Sequence, residues 1–324
     1  MRRQLVALAL LAAGCGGPTA APQVPAATAW LHRYVQADGR VSRLDQGGDT
    51  VSEGQSYALL LALAVHDDAT FDRVWRWTRE HLQRPDGLLA YHASATGQVL
   101  DRTPATDADL VVAWALLRHG DPAGGRISDA VRRLETVSVG GRRVLAAGPW
   151  ATGQPATLNP SYWAFPVLRD LARLEPRAGW GELADGASAV LAVLPDPLPP
   201  DWARADGSVV RAEPSPDGAR PTEYGPDAQR VLAWSAWSCV PADRAAARRA
   251  APAVAQPVLS SDLRGRPVRR DASALAQVAA SAAQETAGSA PHSSAAASTA
   301  QRFPTYYGDA WVALQATHRT LFAC

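Results

Sequence analysis

The sequence predicts an all-α fold in which helices buried on every side alternate with helices that are apolar on one face only. Residues 57–65 are apolar all round, as expected of a helix that its neighbours cover completely. In residues 71–82, apolar side chains recur at helical spacing with charged residues between them, which is typical of a helix facing water on one side. The chain of 324 residues has room for about twelve such helices.

The same alternation continues along the chain. Further helices are predicted at residues 107–117, 127–134, 162–174, 180–194, 226–239, 245–258 and 306–322. Alternating buried and amphipathic helices suit a double ring, with a covered inner ring and an outer ring that faces water, so an α/α barrel is predicted. An open helical solenoid is the competing arrangement, although no clear sequence repeat supports it. The Ser- and Ala-rich residues 281–300 are expected to form a mobile surface connection.

Composition excludes some classes of protein. Hydrophobic residues make up 47% of the chain, which is enough for a sizeable core and excludes wholesale disorder. The 32 basic residues nearly balance the 31 acidic ones, for a formal charge of +1. A nucleic-acid-binding protein would show a basic excess, so this balance argues against that class.

A single domain is expected over residues 28–324.

The first residues are typical of a targeting segment. A short basic start precedes the apolar residues 4–13, a stretch too short to cross a bilayer as a helix. Residues 12–15 resemble a bacterial lipoprotein box, in which Cys15 would carry the lipid; ordinary cleavage between Gly14 and Ala27 is the alternative. Residues 1–27 are therefore expected to be a leader and spacer. The protein is expected to be exported, as a periplasmic or membrane-anchored lipoprotein or in secreted form.

The other two cysteines leave two interpretations open. In an exported protein Cys239 and Cys324 could form a disulfide, or Cys239 could be a buried free thiol. The seven histidines are scattered, and no Cys or His spacing indicates a metal site.

Carboxylates stand near the starts of three predicted buried helices, at Glu53, Asp107 and Asp227. Capping is the simplest explanation of any one of them, since helix N-termini favour negative charge. Glu is a poor N-cap, however, and if the inner helices all run the same way the three side chains meet at one end of the barrel. Glycoside hydrolysis needs one protonated acid and one ionised carboxylate in a shared cleft. Burial and mutual repulsion would raise the pKa of one of them.

Several segments in the same order resemble glycoside hydrolase family 8. They extend from about Trp30 to Leu314 and include SEGQ at 52–55, ATDAD at 105–109, LNPSYW at 158–163, PDAQR at 226–230 and TYYGDAW at 305–311. The branch they resemble most is that of the periplasmic endoglucanases of bacterial cellulose-synthesis operons.

This resemblance implies an (α/α)6 barrel that hydrolyses β-1,4-linked glucan chains internally, with inversion and without a metal or organic cofactor. It implies that Glu53 is the general acid, that Asp227 is the general base and that Asp107 holds the distorted sugar. Two carboxyl groups with these roles should lie about 6.5–9.5 Å apart. The resemblance also implies that four residues at matching positions of the family bind substrate: Tyr91, Tyr162, Arg230 and Tyr307. Tyr57 is added to them because it follows Glu53 by one helical turn.

The sequence departs from the family pattern at Pro226, where an aromatic residue often precedes the base. Pro is acceptable at the first position of a helix, so the side chain of Asp227 can still point towards the site.

Alternative substrates are chitosan, xylan or mixed-linkage β-glucan. The alternatives of another class are a catalytically drifted glycan-binding protein of a secretion complex and a helical scaffold lipoprotein. Expected partners are a β-glucan polysaccharide and the cellulose synthase complex, with no nucleic acid, and the protein is expected to be a monomer.

Overall fold

The structure is a computed structural model that describes residues 23–289, 293–302 and 304–324. Twelve α-helices dominate these residues, which confirms the predominantly helical prediction. Their bounds are α1 Gln23–Tyr34, α2 Ser52–Val65, α3 Asp68–His81, α4 Thr106–His119, α5 Ala123–Leu134, α6 Phe165–Leu174, α7 Trp180–Val193, α8 Pro226–Ala236, α9 Ala245–Ala250, α10 Ala274–Thr286, α11 Ser293–Arg302 and α12 Tyr306–Leu321.

Short strands occupy the connections between helices, which the all-α prediction did not include. Within the described ranges they are β1 Thr50–Val51, β2 His92–Ala93, β3 Val99–Asp101, β4 Thr136–Val139, β5 Arg142–Leu145, β6 Ala156–Leu158, β7 Trp202–Asp206, β8 Val209–Glu213, β9 Ser260–Ser261 and β10 Pro267–Arg269. They form antiparallel sheets in the orders β1-β2-β3, β4-β5, β6-β7-β8 and β9-β10. Strands of two to five residues are too short to produce a recognisable alternating pattern in the sequence.

The even-numbered helices contact one another in sequence. Helix α2 packs on α4, α4 on α6, α6 on α8, α8 on α10, α10 on α12, and α12 on α2. The odd-numbered helices pack on their neighbours in this series, as α3 does on α2 and α5 on α4. Burial follows the same division: Leu59, Leu60 and Leu61 on successive faces of α2 are all fully buried, whereas α3 alternates buried and exposed positions. The predicted alternation of buried and amphipathic helices is confirmed.

The predicted mobile connection over residues 281–300 is wrong for the part that the structure describes. Helix α10 extends to Thr286, and Ser281, Ala282 and Ala283 within it are buried. Small side chains allow α10 to pack closely against α8, so the low complexity reflects close helix contact and not a loop. Helix α11 follows in the same stretch.

Helix α1 begins at Gln23, inside the predicted spacer, and buries Ala27 and Trp30 against α12 and α2. The rest of the predicted leader, with Cys15, lies outside the described residues. Among the helices that are described, none combines the length and apolar character needed to cross a membrane.

A disulfide bond joins Cys239, just after α8, to Cys324, just after α12, with a Cα–Cα distance of 5.3 Å. Of the two interpretations left open by the sequence, the paired one is therefore observed. The bond ties together the C-terminal ends of α8 and α12, and its two cysteines are 85 residues apart in the chain.

Replacing both cysteines by serine should lower the free energy of unfolding by about 2–4 kcal/mol, because the disulfide closes a long loop in the unfolded chain. Urea denaturation of the oxidised protein and of the double variant measures this difference. The wild-type protein unfolded with a reductant present is the control and should resemble the variant. Equal midpoints for the oxidised protein and the variant would contradict a stabilising disulfide.

Candidate active site

Three of the even-numbered helices each direct a carboxylate from their second residue into one cluster. Glu53 is the second residue of α2, Asp107 of α4 and Asp227 of α8. The guanidinium of Arg230, one turn further along α8, binds all three. Its Nη1 donates to Glu53 and, at 2.9 Å, to Asp107, while its Nη2 donates to Asp227 at 3.0 Å. The helix starts therefore meet at one end of the molecule, as the sequence predicted.

The segment around Glu53 is held from both sides. The backbone N–H of Ser52 donates to the carbonyl of Tyr91 at 2.8 Å. Gly54 must lack a side chain, because a Cβ there would lie 2.0 Å from the hydroxyl of Tyr306. The amide of Gln55 is fully buried; it accepts from the N–H of Val41 at 2.6 Å and donates to Thr78 on α3 at 2.7 Å. The residues flanking Glu53 thus anchor the first turn of α2.

The first turn of α4 is anchored in a similar way. The hydroxyl of Thr106 donates to the carbonyl of Ala146 at 2.8 Å, and the buried carboxylate of Asp109 accepts from the N–H of Leu89 at 2.7 Å. Asp107 lies between these two anchors and accepts from the N–H of Ala108 at 2.9 Å. Because Thr106 and Asp109 bind the surrounding loops, Asp107 is left to face the cluster.

Asp227 is held by three donors. Besides Arg230, Arg220 donates from Nη2 to Oδ2 at 2.8 Å, and Asn159 donates to the same oxygen at 3.3 Å. Pro226 occupies the first position of α8, so the helix begins normally and the carboxylate reaches the cluster despite this departure from the family pattern.

Burial sets the protonation of Glu53. Loss of solvation raises its pKa to about 7; the nearby Arg230 opposes this shift, the charge of Asp107 adds to it, and the Tyr57 hydrogen bond opposes it. Both Tyr57, at 2.9 Å, and Arg230 donate to Oε1. A proton on Glu53 would therefore be carried by Oε2. Burial likewise raises the pKa of Asp107, against the lowering effect of Arg230.

A cleft of about 640 Å³ opens beside the cluster, and aromatic side chains line it. Tyr91, Tyr162 and Tyr307 stand there, as the sequence predicted, together with Trp150 and Trp202. Tyr91 and Trp150 expose 38% and 46% of their surface, so flat apolar faces are open to a ligand. The ring of Tyr162 also lies 5.5 Å from the Arg230 guanidinium.

Tyr57 occupies a different position from the other tyrosines. It is 3% exposed, lies behind Glu53 and packs edge-on against Trp311 at 5.9 Å between ring centres. The structure thus places it in contact with the carboxylate of Glu53, not at the surface of the cleft.

Four residues at the site were not predicted from the sequence: Asn159, Asp201, Arg220 and Trp202. Asn159 lies in a motif that was already recognised, so its neighbourhood offered a signal. The other three come from connections, where no local spacing indicates which side chains will face a distant helix. Within the described ranges no group of three or more His, Cys, Asp or Glu side chains is placed to hold a metal ion.

Curated relatives of the chain are endoglucanases. The endoglucanase of Xanthomonas axonopodis pv. citri is 34% identical over 251 residues, covering 71% of this chain and 64% of its own length. That of Cellulomonas uda is 32% identical over 246 residues, covering 67% of this chain and 68% of its own. The chain thus spans about two thirds of the length of these relatives.

Solved structures agree over a larger share of the chain. The endo-β-1,4-glucanase of Acetobacter xylinum superimposes with a TM-score of 0.77 at 25% identity, covering 92% of this chain and 98% of the other. The endoglucanase of Komagataeibacter sucrofermentans gives the same TM-score and coverage at 26% identity.

A sequence model described as glycosyl hydrolases family 8 matches residues 2–306. The carboxylate cluster lies within that span, at the end of the inner helices where an aromatic cleft opens. The chain belongs to glycosyl hydrolase family 8.

Proposed function

We propose that this protein is an endo-acting glycoside hydrolase that cleaves β-1,4-glucan chains with inversion of configuration. The proposal rests on one observation. The two terminal nitrogens of Arg230 donate to Glu53 and to Asp227, and this cluster lies beside an aromatic cleft. The similarity to curated endoglucanases supports the substrate class. The chemistry needs one carboxyl that is protonated and one that is ionised.

We propose the following roles for the three carboxyl groups. Glu53, protonated at Oε2, donates its proton to the glycosidic oxygen as the bond to the anomeric carbon breaks. A water molecule attacks that carbon from the opposite face, and Asp227 accepts the proton that the water loses. Asp107 contacts the sugar at the cleavage point and stabilises its distorted ring. The proton lost from Glu53 is balanced by the proton gained by Asp227, and solvent exchange restores both groups.

The closure of the helices into a barrel is also part of the proposal. The series of contacts from α2 through α12 and back to α2 supports a closed (α/α)6 barrel with α1, α3, α5, α7, α9 and α11 outside. Such a barrel brings the N-termini of the inner helices to one end, where a polysaccharide can lie across them.

We further propose that the protein is exported and anchored through a lipid on Cys15, a residue outside the described part of the chain. The basic and apolar leader supports export, and the small residues before Cys15 support lipidation. A role beside the cellulose synthase complex rests on the resemblance of the motifs alone.

Glu53→Gln and Asp227→Asn should each lower kcat at least about 100-fold, because each removes one of the two groups that transfer protons. Viscosity loss and reducing-sugar release from carboxymethyl cellulose, with chitosan and xylan in parallel, measure the activity. Glu182→Gln is the matched control, since Glu182 is also in the first turn of a helix, α7, but is exposed and outside the cleft. Full activity in both active-site variants would refute the assignment.

The proposed inversion predicts that the newly formed reducing end appears first as the α-anomer. Proton NMR of cellohexaose during the first minutes of hydrolysis distinguishes the anomers before they equilibrate. Prompt appearance of the β-anomer would instead indicate retention and a covalent intermediate.

The raised pKa of Glu53 predicts the basic limb of the pH profile. Because the acid acts only in its protonated form, kcat/KM should be high below pH 7 and fall as the pH rises through about 7. Initial rates on a neutral cello-oligosaccharide between pH 5 and pH 9 test this. A profile that stays flat from pH 6 to pH 9 would show that Glu53 is not the group whose proton is required.

A further inference from the structure

We infer that Arg220 and Asp201 form a positioning pair that fixes the orientation of the base, Asp227, and leaves one defined oxygen to accept the proton of water. This inference deepens the proposed function and rests on the assignment of Asp227 as the base. Both residues lie in connections before α8, outside the motifs from which site residues were predicted.

Arg220 links the two aspartates through separate nitrogens. Its Nη2 donates to Oδ2 of Asp227 and its Nη1 to Oδ2 of Asp201, both at 2.8 Å. The rigid, planar guanidinium fixes the distance between its two partners, which the single ammonium group of lysine cannot do. One third of the side chain is exposed at the wall of the cleft, so its position is set by these bonds more than by packing.

The backbone that carries Arg220 is organised independently of the site. Ser215 and Arg220 close a compact loop, in which the N–H of Ser215 donates to the Arg220 carbonyl at 3.0 Å. The N–H of Arg220 donates to the Ser215 hydroxyl at 2.8 Å, and that hydroxyl donates to Asp217 at 2.6 Å. The guanidinium is therefore presented to Asp227 from a loop that is already hydrogen-bonded within itself.

Asp201 fixes the other end of the link. Only 2% exposed, it accepts at Oδ1 from the backbone N–H groups of Gly225 at 2.9 Å and Ala228 at 2.8 Å. It thus caps α8 from outside the helix, at a start where Gly225 offers no side chain to do so. A Cβ on Gly225 would lie 2.6 Å from the Asp201 carboxylate, which shows how closely the two segments approach. The same carboxylate therefore anchors the helix that carries Asp227 and the arginine that orients it.

The two carboxylate oxygens of Asp227 accept different numbers of hydrogen bonds. Oδ2 accepts from Arg220 and Asn159, whereas Oδ1 accepts from Arg230. A carboxylate oxygen offers about two lone-pair sites, so Oδ1 retains a site for water while Oδ2 is occupied. Without Arg220, the carboxylate could rotate and the distinction between the oxygens would be lost.

Arg220 supplies one of the two cations that donate to Asp227 directly, and Arg230 supplies the other. Without Arg220, the donors left to Asp227 are Arg230 at Oδ1 and Asn159 at Oδ2, the latter at 3.3 Å. The planar guanidinium that fixes the orientation of the carboxylate would then be missing on the Oδ2 side.

Arg220→Met is the principal test. We expect kcat to fall about 10- to 100-fold, since a misplaced base is costly even when it is present. KM should stay within about twofold, because the change affects the orientation of the base and not the binding of the substrate. The substrate should be a neutral cello-oligosaccharide, because carboxymethyl groups could pair with Arg220 directly.

Asp201→Asn separates the two roles of Asp201. The side-chain oxygen of Asn can still cap α8, but its amide would face Arg220 and cannot accept from it. We expect kcat to fall while KM stays within about twofold, because Arg220 is still present but has lost one of its two partners. If Asp201 acts through Arg220, the double variant should be no slower than Arg220→Met alone. Arg220→Lys should restore only part of kcat, because a single ammonium group cannot fix the distance between the two aspartates.

Arg169→Met is the matched control. Arg169 also bridges two aspartates, Asp243 at 2.7 Å and Asp185 at 2.8 Å, but it lies outside the cleft. We expect this variant to lower the melting temperature while kcat and KM stay as in the wild type.

An unchanged kcat in Arg220→Met would overturn the inference and leave the proposed function intact. An equal fall of kcat in Arg169→Met would also overturn it, since the effect would then be one of general stability. A folded wild-type protein with no activity on any of the glucans tested would overturn the proposed function itself, and the inference with it.

Discussion

The site depends on one buried cation. Arg230 is almost completely enclosed, and its side chain binds Glu53, Asp107 and Asp227 together. Three carboxylates this close to one another repel, and each loses solvation where it stands, so without the guanidinium none of them could stay ionised at low cost. The arginine compensates this repulsion only in part. Glu53 keeps a raised pKa, which the proposed role of Glu53 as the acid requires.

The helical frame makes that meeting possible. Each of the three carboxylates is the second residue of an even-numbered helix, and Tyr307 holds the same position in α12. Since these helices begin at the same end of the molecule, their first turns face one another there. The surrounding anchors, such as the buried amide of Gln55 and the cap that Asp201 provides to α8, fix how far each first turn projects. Small displacements of such turns matter greatly for proton transfer.

Helical periodicity and the positions of Glu53, Asp107 and Asp227 could be read from the sequence, because both are local properties of the chain. The Ser- and Ala-rich stretch was misjudged since composition alone does not distinguish a loop from a helix whose small residues permit close packing, as in α10. The short strands were missed because runs of two to five residues carry too little pattern. Arg220 and Asp201 could not be predicted, as their partners lie on separate segments of the chain.

The positions of Glu53, Asp107 and Asp227 at the starts of buried helices follow from local hydrophobic pattern and from the order of the motifs. That Arg230 joins the three carboxylates, that Tyr57 lies behind Glu53 and that Arg220 holds one oxygen of Asp227 became visible in the folded protein alone. The reason is that protonation and orientation depend on desolvation and on contacts between residues far apart in the chain, and these come into being only when the helices pack.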